Sequence, residues 1–352
     1  MAICVVMAAL CSHSYAQKME AAPLTKKFPW DTRPNKCFGS AEALALPMCQ
    51  PSRDWVAFAE TQTHANMLWG DPDFDLIQRA ENELGFSRER FSTGEYLFEP
   101  WYTSMQAVFR YSGERGAAIA GKWVKAKGTD GYAVLAEALV QYGQAWTARG
   151  SGVGNTVSQE AWELYYHRLG DAYATLETAS PRLRQTGPWH VLKLEIAFQT
   201  PDLKSVRLEL LRTASDAWPH YVSIYSVPMQ FAHPKWGGSF EVMDGIARFA
   251  AEKTRERLGV AMYAVLYERL FRGDSAYTLR DANVDWTMMK QGFRDVESHG
   301  IGQPWIWKNF AGLACQIRDR DEARRLYGVY DRIRNSDVPE AADSCRLFAT
   351  AS

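Results

Sequence analysis

The residues whose types and spacing best suit contact with a ligand are His233, Lys235, Trp236, Gly237, Gly238 and Ser239. Two consecutive glycines allow positive φ and let another group come close to the backbone. Ser239 is suited to cap the helix that follows, and the free amides at that helix N-terminus attract an anion or a carboxylate. His233 and Lys235 add donors beside them. The plainer role of the same block is a tight turn that packs Trp236 and caps a helix. Gly150-Ser-Gly-Val-Gly154 has half the look of a dinucleotide loop, but it follows a helical pattern rather than a strand and lacks the acidic partner, so it reads as a linker. None of the seven histidines pairs with another at i+3 or i+4, and no His-Glu-x-x-His occurs. Neither a metal site nor a cofactor is therefore expected. Glu163 and His167 share a helix face and could exchange a proton or simply hydrogen-bond at the surface. No Gly-x-Ser-x-Gly elbow is present, and no catalytic residue is assigned.

The cysteines point to an oxidising compartment. Of six, Cys4 and Cys11 lie in the first segment, leaving Cys37, Cys49, Cys315 and Cys345. Four cysteines allow three pairings. Local bridges, 37 with 49 and 315 with 345, are the first expectation. No Cys-x-x-Cys occurs, so zinc knuckles and thioredoxin-like chemistry lack their spacing. Residues 2–10 form a nine-residue apolar stretch, and Ser14 and Ala16 occupy the −3 and −1 places of a small-x-small cleavage site. This pattern predicts a secretory signal peptide cut after Ala16 and a periplasmic or secreted mature protein.

The elements that must position these residues are helices. The chain has 352 residues, 47% apolar and 13% aromatic with 13 Trp, enough to build a sizeable core. Forty Lys plus Arg balance 41 Asp plus Glu, which gives no support for a nucleic-acid partner. No apolar run reaches the roughly 18 residues of a spanning helix, so no membrane insertion is expected once the signal is removed. Tyr132 to Arg149 places Leu135, Leu139, Tyr142 and Trp146 on one helical face. Thr156 and Gln159 read as a capping box for a helix carrying Trp162, Tyr165, Leu169, Ala172 and Leu176. Further helices are predicted over 189–198, 206–214, 221–231, the run after Ser239, 260–271, 286–296, 305–316 and 322–333. Weaker helical patterns cover 52–69, 74–84, 101–112 and 114–126, while 17–50 looks irregular. Trp307, Phe310, Ala311, Ala314, Ala323, Tyr327 and Tyr330 approximate one tetratricopeptide unit, with the sizes at Ala314 and Tyr330 reversed. The expected fold is all-α, an irregular α-solenoid of antiparallel, tetratricopeptide-like helix pairs. Its organisation is a signal peptide over 1–16, an N-terminal extension over 17–87 and a helical-repeat domain over 88–352.

A set of motifs in fixed order carries a family resemblance. Phe91-Ser-Thr-Gly94-Glu-Tyr-Leu precedes Trp101-Tyr102, and Ala145-Trp146-Thr-Ala-Arg149-Gly150 leads to the Trp162 helix. Pro234-Lys235-Trp236-Gly237-Gly238-Ser239 follows, and Trp307-Lys-Asn309-Phe310-Ala311, Ala314-Cys315 and Asp319-Arg-Asp-Glu-Ala323 close the series. Together they resemble the bacterial family catalogued as domain-of-unknown-function 4034, over about residues 88–335. The resemblance implies an all-helical fold and supplies no catalytic residue. Glu297-Ser298 is similar to the catalytic start of lytic transglycosylases, but the glycine-rich signature downstream is missing.

Helical repeats present extended binding faces, so the expected role is a non-catalytic exported protein that binds a protein or peptide partner in the cell envelope. Two other expectations are an immunity-type protein that neutralises a toxin in the periplasm and an envelope enzyme acting on peptidoglycan or another glycan. The enzyme would need a cleft with a close carboxylate pair. Trp101, Trp218, Trp236 and Trp305 sit at loops or helix starts and are the aromatics best placed to line a groove.

Overall fold

The computed structural model describes residues 72–91, 94–128, 131–271, 278–302, 305–333 and 344–350, and the backbone of 37–41 and 46–49. The expected signal peptide, its cleavage site after Ala16 and the helix over 52–69 lie outside the described residues. Within the segment expected to be irregular, strands β1 (Cys37–Ala41) and β2 (Leu46–Cys49) form an antiparallel hairpin. Its register places Cys37 opposite Cys49. The bridge expected between these two cysteines lies outside the described residues.

The other described residues are mainly helical. Helix α1 (Phe74–Ala80) runs into a π-helical turn, Glu81–Gly85. Then follow α2 (Phe98–Tyr111), α3 (Gly113–Lys127), α4 (Tyr132–Arg149), α5 (Gln159–Glu177), the single turn α6 (Pro181–Arg184) and α7 (Gly187–Gln199). The second half comprises α8 (Arg207–Ala217), α9 (Val222–Phe231), α10 (Phe240–Leu258), α11 (Ala261–Phe271), α12 (Trp286–His299), α13 (Trp305–Ile317), α14 (Arg320–Ile333) and α15 (Ser344–Thr350). Consecutive helices pack as neighbours, α4 with α5, α11 with α12 and α13 with α14, and each pair also meets the next, as α7 meets α9 and α11 meets α13. This is the all-α, irregular solenoid of helix pairs that the apolar periodicity implies.

Local chemistry sets the boundaries. Helix α4 spans the residues expected from its apolar stripe. Helix α5 does not begin as the sequence suggested. Thr156 closes a 3-10 turn instead of capping, and Ser158 is the N-cap, its Oγ accepting from the Ala161 amide at 3.2 Å. The competing signal was Thr156 itself, whose hydroxyl donates to the Val153 carbonyl. In the last unit, Trp307, Phe310, Ala311, Ala314, Ala323 and Tyr327 are all buried, and Tyr330 packs against the core at its edge. The Cys315–Cys345 disulfide, with Cα atoms 5.8 Å apart, ties α13 to α15.

The interior is unusually aromatic. Tyr96, Phe98, Trp218 and Tyr221 form a box with ring centroids 5.1–6.4 Å apart. Trp101 meets Tyr132 at 5.0 Å, and Phe293 meets Phe310 at 4.5 Å. One ion pair lies deep between α2, α4 and α7. Arg110 donates to both Glu195 carboxylate oxygens, the Tyr142 hydroxyl donates to Glu195 at 2.8 Å, and Gln199 links that hydroxyl to Tyr165. Burial would lower the Arg110 guanidinium, but the Glu195 carboxylate overrides it and holds the group above its ordinary value.

Candidate functional site

A cavity of about 390 Å³ opens between the start of α2, the segment leading into α9, helix α11 and the corner between α12 and α13. This size falls within the range of small-ligand sites, roughly 300–1,000 Å³. Val222, Leu258, Met262, Val265, Ile301 and Ile306 supply its apolar wall. Arg90, Glu95, Glu99, Glu268 and Arg269 bring charge of both signs, and His220 lines it as well. Trp305, also lining it, is 46% exposed.

Each polar group is held by its local structure. Arg90 and Tyr96 face each other across an antiparallel bridge that turns the chain into α2. The Arg90 guanidinium lies 4.1 Å over the Tyr96 ring and donates to its hydroxyl. Arg90 is 3% exposed, and its Nε has no hydrogen-bond partner in the protein. Glu99, in the first turn of α2, reaches back to accept from the Tyr96 amide at 2.8 Å. Its other carboxylate oxygen makes no hydrogen bond or ion pair with the described residues. Burial pushes Glu99 up to about 7, against the pull of the Tyr96 amide and of Arg269. It can therefore give or take a proton near neutral pH. His220 goes the other way, pushed down to about 4 by burial and further by Arg90 and Arg257. Its Nδ1 is buried with no hydrogen-bond partner. Arg269 donates to Ser223 Oγ at 3.3 Å and forms no ion pair among the described residues. Glu268, almost fully buried, accepts from Asn309 Nδ2 at 2.6 Å.

The block favoured by its sequence lies elsewhere. None of His233, Lys235, Trp236, Gly237, Gly238 and Ser239 lines this cavity. His233 is buried, its Nδ1 accepting from the Lys235 amide at 3.2 Å and its ring set edge-on to Phe240. Gly237 ends the 3-10 turn Pro234–Trp236 with φ +82°, a conformation that favours glycine. A Cβ on Gly238 would stand 2.0 Å from the Ala232 carbonyl oxygen, so a side chain there has no room. Ser239 caps α10, its Oγ accepting from the Val242 amide. Trp236, 38% exposed, packs on Trp146 at 5.7 Å and Phe231 at 5.8 Å. The Arg149 guanidinium sits among Trp146, Trp162 and Trp236, 4.9–5.9 Å from their ring centres. The Trp146 and Trp236 motifs and the Trp162 helix thus meet in one cluster, and His233, Trp236, Gly237, Gly238 and Ser239 each have a packing, turn-forming or capping task.

Other expectations are settled by contacts. Glu163 accepts from Gln159 and His167 pairs with Asp171, so the two do not form a proton-transfer pair. Glu297 is held by Arg325 and Arg332. Trp101 and Trp218 are buried in the core, while Trp236 and Trp305 reach the surface. Among the described residues, no three His, Cys, Asp or Glu side chains group to hold a metal ion, and no helix is long and apolar enough to cross a membrane. The residues sequence reasoning missed are Arg90, Glu99, His220, Glu268 and Arg269. They come from four separate elements and share no spacing. The one usable signal was Trp305, a large aromatic at a helix start. No family model, no curated protein and no solved structure matches this chain.

Proposed function

We propose that this chain is an exported, non-catalytic helical-repeat protein that binds a peptide segment of a partner in the cell envelope. The observation that carries the proposal is the cavity beside α2 and α11, where an apolar wall adjoins charged side chains of both signs. A peptide offers the same mixture of apolar side chains, amides and charges. The Cys315–Cys345 disulfide supports an oxidising compartment. A photo-crosslinking amino acid in place of Thr103, which lines the cavity, tests this in the native envelope. The expected result is one discrete adduct that is not obtained when the same group replaces the exposed Val153. Absence of any adduct from Thr103, or the same adducts from both positions, would contradict it.

One observation favours a second reading, hydrolysis of an envelope glycan. Glu99, pushed up to about 7, shares the cavity with the carboxylates of Glu95 and Glu268, and a raised carboxyl is what a general acid needs. Release of reducing ends from peptidoglycan by the native chain and not by Glu99→Gln would favour it. No release by either would leave the binding reading alone.

A further inference from the structure

We propose that the cavity recognises a free carboxylate carried beside an apolar side chain, as at the carboxyl terminus of a peptide, with Arg90, His220 and Arg269 as the carboxylate's partners. This inference rests on the peptide-binding reading and names the part of the peptide that is read. Three observations converge on it. Arg90 is buried, has no carboxylate within ion-pairing distance among the described residues and keeps an unpartnered Nε. A buried guanidinium without a counter-charge is costly unless one is supplied from outside the fold. Arg269 and His220 line the same cavity; Arg269 forms no ion pair among the described residues and feels the Glu99 carboxylate only at longer range, and the Nδ1 of His220 is buried without a hydrogen-bond partner. Guanidinium groups pair with carboxylates through two parallel hydrogen bonds, a geometry that selects this group over a point charge.

The remaining lining decides which carboxylate. Val222, Met262, Val265 and Ile301 make a wall for an alkyl or aromatic side chain. Glu95, Glu99 and Glu268 also line the cavity. Their negative charge opposes a dianion such as a phosphate, and their oxygens accept hydrogen bonds. A peptide N–H satisfies the Glu99 oxygen that the Tyr96 amide leaves open, whereas the chain of a fatty acid would bury that oxygen without a partner. An apolar residue with a free α-carboxylate and a preceding amide meets every part of this surface.

The test is affinity selection on the full mature chain with a pool of random hexapeptides as free acids, mixed with an isotope-labelled copy of the pool carrying C-terminal amides, and with dodecanoate present. Free acids ending in an apolar residue should be enriched over the matching amides by about tenfold or more, the scale of a lost charge-assisted hydrogen bond. Arg269→Gln and His220→Gln, each verified as folded by circular dichroism, should reduce that preference. Equal enrichment of acids and amides would overturn the carboxylate inference and leave peptide binding standing. Retention of dodecanoate without peptides would overturn the peptide source. Retention of none of the three would remove the binding reading as well.

Discussion

Two buried arginines in this protein share the same immediate setting and differ in what neutralises them. Arg110 lies 4.5 Å over the Tyr142 ring, and Arg90 lies 4.1 Å over the Tyr96 ring. In both, Nε has no hydrogen-bond partner. Arg110 nevertheless grips both oxygens of Glu195, and that carboxylate is fixed in turn by Tyr142. Arg90 forms no ion pair among the described residues, donates to a tyrosine hydroxyl and feels the Glu99 carboxylate only at longer range, and burial lowers its guanidinium from the ordinary value. The first arginine is part of a closed network that holds α2, α4 and α7 together. The second borders a cavity. A charge neutralised within the fold is a packing device, while one left without a counter-charge beside open space marks where another molecule's charge is wanted.

The largest effect that could break this contrast is expected at Glu195. Glu195→Ala strands Arg110 without a counter-charge and should cost about 3–5 kcal/mol in urea unfolding. A loss below about 1 kcal/mol would show that the network does not hold the helices as described. Next in size is Gly238→Ala, which forces a Cβ against the Ala232 carbonyl. It should destabilise by roughly 1–3 kcal/mol while leaving peptide binding per folded molecule intact, which separates the Trp236 turn from the cavity. Loss of binding by a folded Gly238→Ala chain would join the two regions again. Arg90→Met should change stability by no more than about 1 kcal/mol in either direction, because relief of a buried guanidinium that has no ion pair offsets the hydrogen bond lost by the Tyr96 hydroxyl. A loss matching that at Glu195 would mean that Arg90 has an internal counter-charge after all.

The smallest predicted effect is a pH dependence. Glu99 faces Arg269, Glu95 and Arg90, and burial raises it from 4.5 to about 7. The folded state therefore holds this proton more tightly, and stability falls as pH rises from 4.5 to about 7, then levels off. Glu81, also raised to about 7 by burial, adds to that fall. His190 and His220, pushed down to about 4 by burial, act oppositely and gain stability as pH rises towards 6.5. The difference between Glu99→Gln and the native chain isolates one group. Relative to the native chain, the variant should gain stability between pH 4.5 and 7, and parallel unfolding profiles would contradict this.

Much of the fold was legible because an apolar stripe at helical spacing has few alternatives. Helix α4 ends where Gly150 said it would, and the Trp307–Tyr327 positions went inside as expected. The start of α5 was misread by two residues because Thr156 and Ser158 compete as hydroxyl caps, and the 3-10 turn decides between them. The candidate site was not legible. Gly237 and Gly238 stood out in the sequence, but a glycine pair reports what the backbone must do, and here it must pass the Ala232 carbonyl. Arg90, His220 and Arg269 carry no shared spacing, since packing of distant helices is what brings them to one cavity. Neither could the sequence distinguish Arg90 from Arg110, because the difference lies in which residue faces each across the fold.

The most direct measurement is the side-chain Nε–H resonance of each arginine, assigned by substitution and followed by ¹⁵N NMR as an apolar-ended peptide is added as its free acid and then as its amide. The Arg90 and Arg269 signals should move with the acid, stay in place with the amide, and leave Arg110 unchanged throughout. Identical responses to acid and amide, or movement at Arg110 with none at Arg90, would contradict the assignment of Arg90 as the charge awaiting an external partner.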